Sequence, residues 1–418
     1  MNSIQLKGGW LVDPSSQMDE VRDLWIVDGR ITFEKPKGDA RVIDVSGQIV
    51  CPGLIDLGVH FKNQENQPPL HALEKLSRQL ASAGFTAALV SLKSHGDSAL
   101  MLDAIRTAQA TPLSGAHIWP AAWVSTEGKG ESMANLGLLM QAGATAFWEP
   151  SCATVSNPLL ARAMEYAGKH GLAFFENCND RSLADHGLIH EGSESALLGL
   201  AGISPLAEEL AVARAIVFAE HFQARVHCHC VSTERSLRLI REAKSRGVKI
   251  TASASAHHLW FNESNLKSYD TRLKCIPPLR PEKDQRALTL AVLDGTIDAL
   301  ASDHSSQGFD QKDVEFERAS FGISSLGTAL GSFITRLVHQ HQMPWMQLIE
   351  RLACGPARIL GKEIGALREG APANITVIDP SVSWQVDAHA LQTPEPYNPW
   401  HGHTLQGRAT MTLGRVII

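Results

Sequence analysis

Three tyrosines against nine tryptophans, in 418 residues that are 6% aromatic, mark an unusual shortage. Several further absences narrow the function. No apolar run approaches the roughly 20 residues that span a bilayer, and Met1-Asn2-Ser3-Ile4-Gln5-Leu6-Lys7 lacks the apolar core of a secretory signal. There is no excess of positive charge: 38 basic residues against 44 acidic ones leave −6, which gives no electrostatic basis for binding nucleic acid or an anionic membrane. Seven cysteines form an odd set without framework spacing, as in a reducing cytoplasm. Cys51, Cys152, Cys275 and Cys354 read as small core residues. Internal repeats, low-complexity tracts and long linkers are also missing. The 44% apolar content and the length suffice for one large barrel plus a small accessory domain.

Apolar strand-like runs alternate with helical spacing through most of the chain. The strands fall at 54–61, 87–94, 116–124, 144–149, 172–178, 224–231, 249–256 and 297–304. Between them, 70–83, 98–110, 159–170, 207–222, 234–246 and 282–293 carry helical periodicity, and two further helices follow at 325–339 and 345–353. Eight such units predict a (β/α)8 barrel, with near-continuous apolar strands because both faces are buried. Polar residues gather at the strands' C-terminal ends, where barrel sites lie. Residues 1–50 read as short strands with an Asp28-Gly29 hairpin, and residues 364–418 behave alike. The expectation is a small β-sandwich from both ends, flanking a barrel over 51–363.

The most informative stretch is Cys51-Pro52-Gly53-Leu54-Ile55-Asp56-Leu57-Gly58-Val59-His60-Phe61-Lys62. It resembles the first barrel strand of the amidohydrolase superfamily, in which Pro-Gly and an apolar run lead to Asp-x-His-x-His. Further runs resemble type I dihydroorotases: residues 191–209, Val231-Ser232-Thr233, Ala256-His257-His258-Leu259, Pro277-Pro278-Leu279-Arg280, Ala301-Ser302-Asp303-His304 and residues 355–361. Their order and spacing carry the likeness from about residue 25 onward. The resemblance implies closure of N-carbamoyl-L-aspartate into dihydroorotate, with zinc, histidine and acidic ligands, and an aspartate base at the end of strand eight.

Placed on that pattern, the ligand positions are degenerate. The first strand-one histidine is Gly58, which has no side chain; the second is His60. At strand four the nearest acid is Glu149, crowded by Trp148 and Pro150; at strand five the histidine position is Asn177, a neutral amide and a poor zinc ligand. At strand six the histidine position is Cys230, and alternation is expected to send His227 and His229 to the opposite face. At strand eight Asp303 is retained. The substrate positions have changed too. The family's strand-one arginine is Lys62, which cannot grip a carboxylate with two prongs, and its asparagines are Lys93 and Ile276. The histidine beyond strand eight is Gln307.

Loss of metal and substrate positions together predicts no bound metal and no catalytic residue, with Asp303 left as a structural carboxylate. The resemblance then extends to the non-catalytic dihydroorotase-like subunit that accompanies bacterial aspartate carbamoyltransferase, implying a hetero-oligomer with that enzyme's catalytic chain in pyrimidine biosynthesis. Two alternatives stay open. One is an active zinc-dependent cyclic amidohydrolase with a single ion among His60, Glu149, Cys230 and Asp303. The other is a sensor holding an anion with Lys62, Lys93 and His258.

Overall fold

The computed structural model describes residues 3–62, 69–93, 98–110, 113–149, 155–363, 366–391 and 396–414. Eight parallel strands form the barrel wall in sequence order. Strands one to four are Leu54–Lys62, Phe85–Lys93, His117–Trp123 and Ala146–Glu149; strands five to eight are Ala173–Asn177, Arg225–His229, Ile250–Ser255 and Ala299–Ala301. Each lies where the apolar runs place it. The connecting helices include Pro69–Ser82, Ser98–Ala110, Asn157–His170, Leu206–Phe222, Glu234–Ser245 and Glu282–Leu293.

Local chemistry fixes several of these boundaries. The Ser156 side chain accepts from Leu159 N to start the helix Asn157–His170, and Gly171, at φ 68°, ends it. Thr233 caps Glu234–Ser245 in the same way as Ser156. The two helices after the barrel, Leu326–Phe333 and Trp345–Ile349, widen into π-type turns at Ile334–Gln340 and Glu350–Cys354 rather than running on as regular α-helix.

The barrel closes between strands one and eight through backbone and one buried carboxylate. His60 N donates to His304 O and His304 N to Gly58 O, each at 2.9 Å. Asp56 Oδ1 accepts from Gly58 N and from Ser302 N, each at 3.0 Å. Inside the barrel, Ile55, Leu57, Leu89, Trp119, Trp148 and Phe175 belong to one packed cluster. The outward strand residues, among them Val59, Phe147, Phe174, Val226 and Cys228, join the larger core under the helices.

The two chain ends share a seven-stranded, mostly antiparallel sheet. Ser3–Asp13, Met18–Val27, Arg30–Thr32, Arg41–Asp44 and Ile49–Pro52 come from one end, Ile375–Gln385 and Thr404–Leu413 from the other. They join where Ile49–Pro52 pairs antiparallel with residues 375–378. Asp28 and Gly29, at φ 48° and 76°, make the tight hairpin expected of that dipeptide.

Candidate functional site

At the C-terminal end of the barrel, three side chains converge from strands one, six and eight. His60 Nε2 and His229 Nε2 each stand 3.2 Å from Asp303 Oδ1. Asp303 sits just past strand eight with φ 50°, a left-handed turn that aims its carboxylate back across the mouth. On its other side, His257 Nε2 lies 3.5 Å from Asp303 Oδ2. Burial works to raise the Asp303 carboxyl pKa, but hydrogen bonds from His229 and His60 hold it well below the ordinary carboxylate range. His257 is pushed down to about 3, by burial first and then by His258. Neither His257 ring nitrogen has a hydrogen-bond partner. His304 is likewise pushed down to about 4 by burial. Its Nδ1 accepts from Ser325 N and Leu326 N, each at 3.1 Å, and so starts the next helix.

The largest correction concerns His229. His227 and His229 do share a face, and Cys228 takes the other, but the histidine face is the inner one. Cys228 packs outward into the core beneath the helices. Strand six ends at His229, and Cys230, at φ 51°, lies beyond it. Alternation therefore does not govern Cys230; its Sγ rests 3.3 Å from His229 Nε2. His227 is tied to Thr251 Oγ1 at 3.0 Å and Ser253 Oγ at 3.1 Å, one layer deeper.

Gly58 explains where the His229 ring fits. A Cβ at position 58 would lie 2.7 Å from His229 Cε1 and 3.1 Å from both His229 Nε2 and Ala301 Cβ. The histidine thus fills space that a strand-one side chain would need. On the strand-four side the inward residue is Trp148, fully buried, with its ring 4.7 Å from that of His229 and 5.2 Å from that of His60.

Glu149, taken from the sequence as the nearest strand-four ligand, points away from the mouth. Strand alternation gives the inner face to Trp148, and the Glu149 carboxylate accepts from Ser125 N at 3.0 Å and from the Ser125 hydroxyl. Burial raises it to about 7. Asn177 Nδ2 donates to Glu149 O at 2.8 Å, which binds it to the strand edge. Gln307 turns into its own loop, donating to Phe321 O at 2.9 Å, and Ile276 is half-buried. The side chains of Lys62 and Lys93, together with Pro150 and Cys152, lie outside the described residues. His258 offers no free nitrogen to an anion. Its Nδ1 meets Ser255 Oγ at 2.6 Å and its Nε2 donates to Pro277 O at 3.0 Å. Cys51, Cys275 and Cys354 are buried, as expected of small core residues.

Could these residues hold zinc? A two-ion centre does not fit. Gly58 offers no donor, Trp148 takes the inner place on strand four, and the Asn177 amide is committed to Glu149 O. A single ion does fit. His60, His229 and Asp303 present donor atoms all within 4.8 Å of one another. Around a tetrahedral zinc with bonds of about 2.0–2.1 Å, neighbouring donors stand about 3.3 Å apart, close to the 3.2 Å seen here from each histidine to Asp303. The sequence reading missed His229 from this set. The signal that would have found it is the small residue at 58, which implies a bulky neighbour across the barrel.

Comparison with known proteins agrees with this architecture. The model of the Amidohydrolase family matches residues 49–413. A dihydroorotase of Pelotomaculum thermopropionicum is 38% identical over 99% of this chain and 98% of its own length. One of Citrifermentans bemidjiense is also 38% identical, over 99% of each. Among solved structures, an L-hydantoinase from Arthrobacter aurescens superposes with a TM-score of 0.84 at 20% identity, covering 99% of this chain and 95% of that one. A D-hydantoinase gives 0.83 at 23%, covering 99% and 94%. The barrel, its sheet of joined chain ends and the mouth between His60 and Asp303 thus belong to a dihydroorotase-like member of the amidohydrolase family.

Proposed function

We propose that this chain is a dihydroorotase-like barrel that does not hydrolyse cyclic amides and serves pyrimidine biosynthesis as an assembly subunit of aspartate carbamoyltransferase. The observation that carries the loss of hydrolysis is the filled mouth. Trp148 and His229 pack against each other where the ligands of a two-ion centre would have to converge. Hydrolysis of this kind needs a polarised carbonyl and an activated water beside an open substrate pocket. Among the described residues, the buried indole of Trp148 takes the strand-four side against both histidines. The partner rests on the likeness of this degenerate barrel to the non-catalytic subunits described above. A barrel's stability lives in its wall and its chemistry in its upper rim, so the rim can change while any interface on the outer helices persists. The test is co-expression with the aspartate carbamoyltransferase of the same source, followed by native mass measurement. One complex containing both chains is expected; separate elution with a transferase that assembles unaided would reject the reading.

One observation favours a second reading, a hydrolase with one metal ion. His60, His229 and Asp303 would hold the ion, which would supply Lewis-acid polarisation and acidify water. Asp303 would add its carboxylate to the ion beside the two imidazoles, and Trp148 would wall one side. Metal content near one per chain together with turnover of dihydroorotate or hydantoin would establish this reading and displace the first.

A further inference from the structure

A cavity lies at the opposite end of the barrel, reached from the mouth side only by His227 and Thr251 among the residues of the layer above it. It has a volume of about 210 Å³. Its walls come from the beginnings of strands five, six and seven and from the helix Gly355–Leu360 that closes the barrel floor. Ala173, Val226, Ile250 and Ile359 make it largely apolar. The small side chain of Ala173 leaves room at one wall, and Gly355 lets the closing helix approach the Asp298 backbone, where a Cβ would lie 2.4 Å from Asp298 O. For scale, an apolar cavity of about 150 Å³ takes up benzene.

Charge at the rim is not balanced. Arg225, Lys249, Arg358 and Asp298 all line the cavity. Asp298 is matched by Lys244 at 2.6 Å, and Arg358 is paired with Glu350. Among the described residues, Arg225 donates to the Gly171 carbonyl, and Lys249 reaches Gln223 O at 3.4 Å. Among the described residues neither has a carboxylate partner. Two uncompensated cations therefore face a slot whose inner surface is apolar. At the inner end, His227 is saturated by Thr251 and Ser253, so no unmatched donor waits there.

We propose that this lower slot binds a small carboxylate with a compact apolar body. The carboxylate sits at Arg225 and Lys249, and the body lies against Ala173 and Ile359. The Arg225 fork suits a planar carboxylate, with Lys249 adding a point charge. A bare, strongly hydrated phosphate would leave the apolar walls wet, and a neutral apolar molecule would leave the cations unmatched. The proposal is independent of what the mouth does.

The test uses the full-length protein with benzoate and 4-methylpentanoate as probes, followed by titration calorimetry. Inorganic phosphate serves as the head-only control and benzyl alcohol as the body-only control. We expect one carboxylate bound per chain, at least tenfold tighter than either control. Arg225→Gln combined with Lys249→Gln should weaken it at least tenfold. Lys249→Gln, at an exposed position, should weaken it severalfold, and it serves alone if the double variant fails to fold by circular dichroism. His60→Ala should bind as the native chain does. The proposal fails if neither carboxylate binds, if phosphate binds as tightly, if the Lys249→Gln variant binds unchanged, or if His60→Ala abolishes binding and so places the ligand at the mouth.

Discussion

Replacing Gly58 by alanine isolates the rearrangement at the mouth. Gly58 does not have a positive φ, so its backbone would accept alanine without strain. The whole effect must then come from the new methyl. That methyl would lie 2.7 Å from His229 Cε1 and 3.1 Å from Ala301 Cβ. The imidazole cannot swing away cheaply, because its Nε2 is 3.2 Å from Asp303 Oδ1 and its ring packs 4.7 Å from that of Trp148. Overpacking of this kind typically costs about 1–3 kcal/mol. In a His229→Ala background the histidine contact is gone and only the 3.1 Å approach to Ala301 Cβ remains, so the same glycine-to-alanine change should cost clearly less, leaving a coupling of about 0.5–3 kcal/mol between the two sites. Urea unfolding of the four proteins, followed by circular dichroism, measures it. Equal cost of Gly58→Ala in both backgrounds, or no cost in the native one, would refute the claim that His229 occupies the strand-one space.

Two other buried acids give predictions of opposite sign. Glu149 is raised from 4.5 to about 7 by burial, so the folded chain keeps a proton that the unfolded chain releases; stability should therefore fall as pH rises from about 4.5 through 7. The shift corresponds to about 3 kcal/mol; Glu149→Gln should reduce that slope in urea midpoints between pH 5 and 8, the remainder coming from Glu176, which burial also raises to about 7, and an unchanged slope would contradict the raised carboxyl. Glu208, by contrast, is held low despite burial, because Arg280 lies 3.2 Å away and Ser232 and Thr233 donate to it. Glu208→Gln strands a buried guanidinium and should cost about 3–5 kcal/mol, whereas replacing both Glu208 and Arg280 by methionine should cost much less. A single and a double variant of equal stability would show that the pair is not the reason for the loss.

The barrel was legible in the sequence because its signal is long-range and redundant. Eight apolar runs, such as 87–94 and 224–231, must each be buried on two faces, and the helices between them carry their own periodicity and caps. At the mouth, His60, on regular strand, and Asp303, just past strand eight at φ 50°, come together as neighbours, while Trp148 and Glu149 face opposite sides of strand four. What failed was direction at strand ends. Spacing from Val231-Ser232-Thr233 points to Cys230, but the strand has already finished at His229, and a residue at φ 51° obeys no alternation. Glu149 failed for a related reason. A four-residue strand gives one inward place near its end, and the larger, apolar Trp148 takes it.

Why the rim could be rebuilt without opening the barrel follows from what closes it. The seam between strands one and eight is made of backbone bonds from His60 N and His304 N and of the Asp56 carboxylate that gathers Gly58 N and Ser302 N. None of these bonds uses a side chain from the ligand set. A glycine at 58 keeps both of its backbone bonds, and its missing side chain is replaced in volume by His229 from across the barrel. Asp303 is held in place by its neighbours, because two imidazoles share its Oδ1 and a third stands at its Oδ2. The stability of the wall and the chemistry of the mouth are therefore physically separable here. That separation lets the barrel wall stay closed whatever side chains its mouth carries.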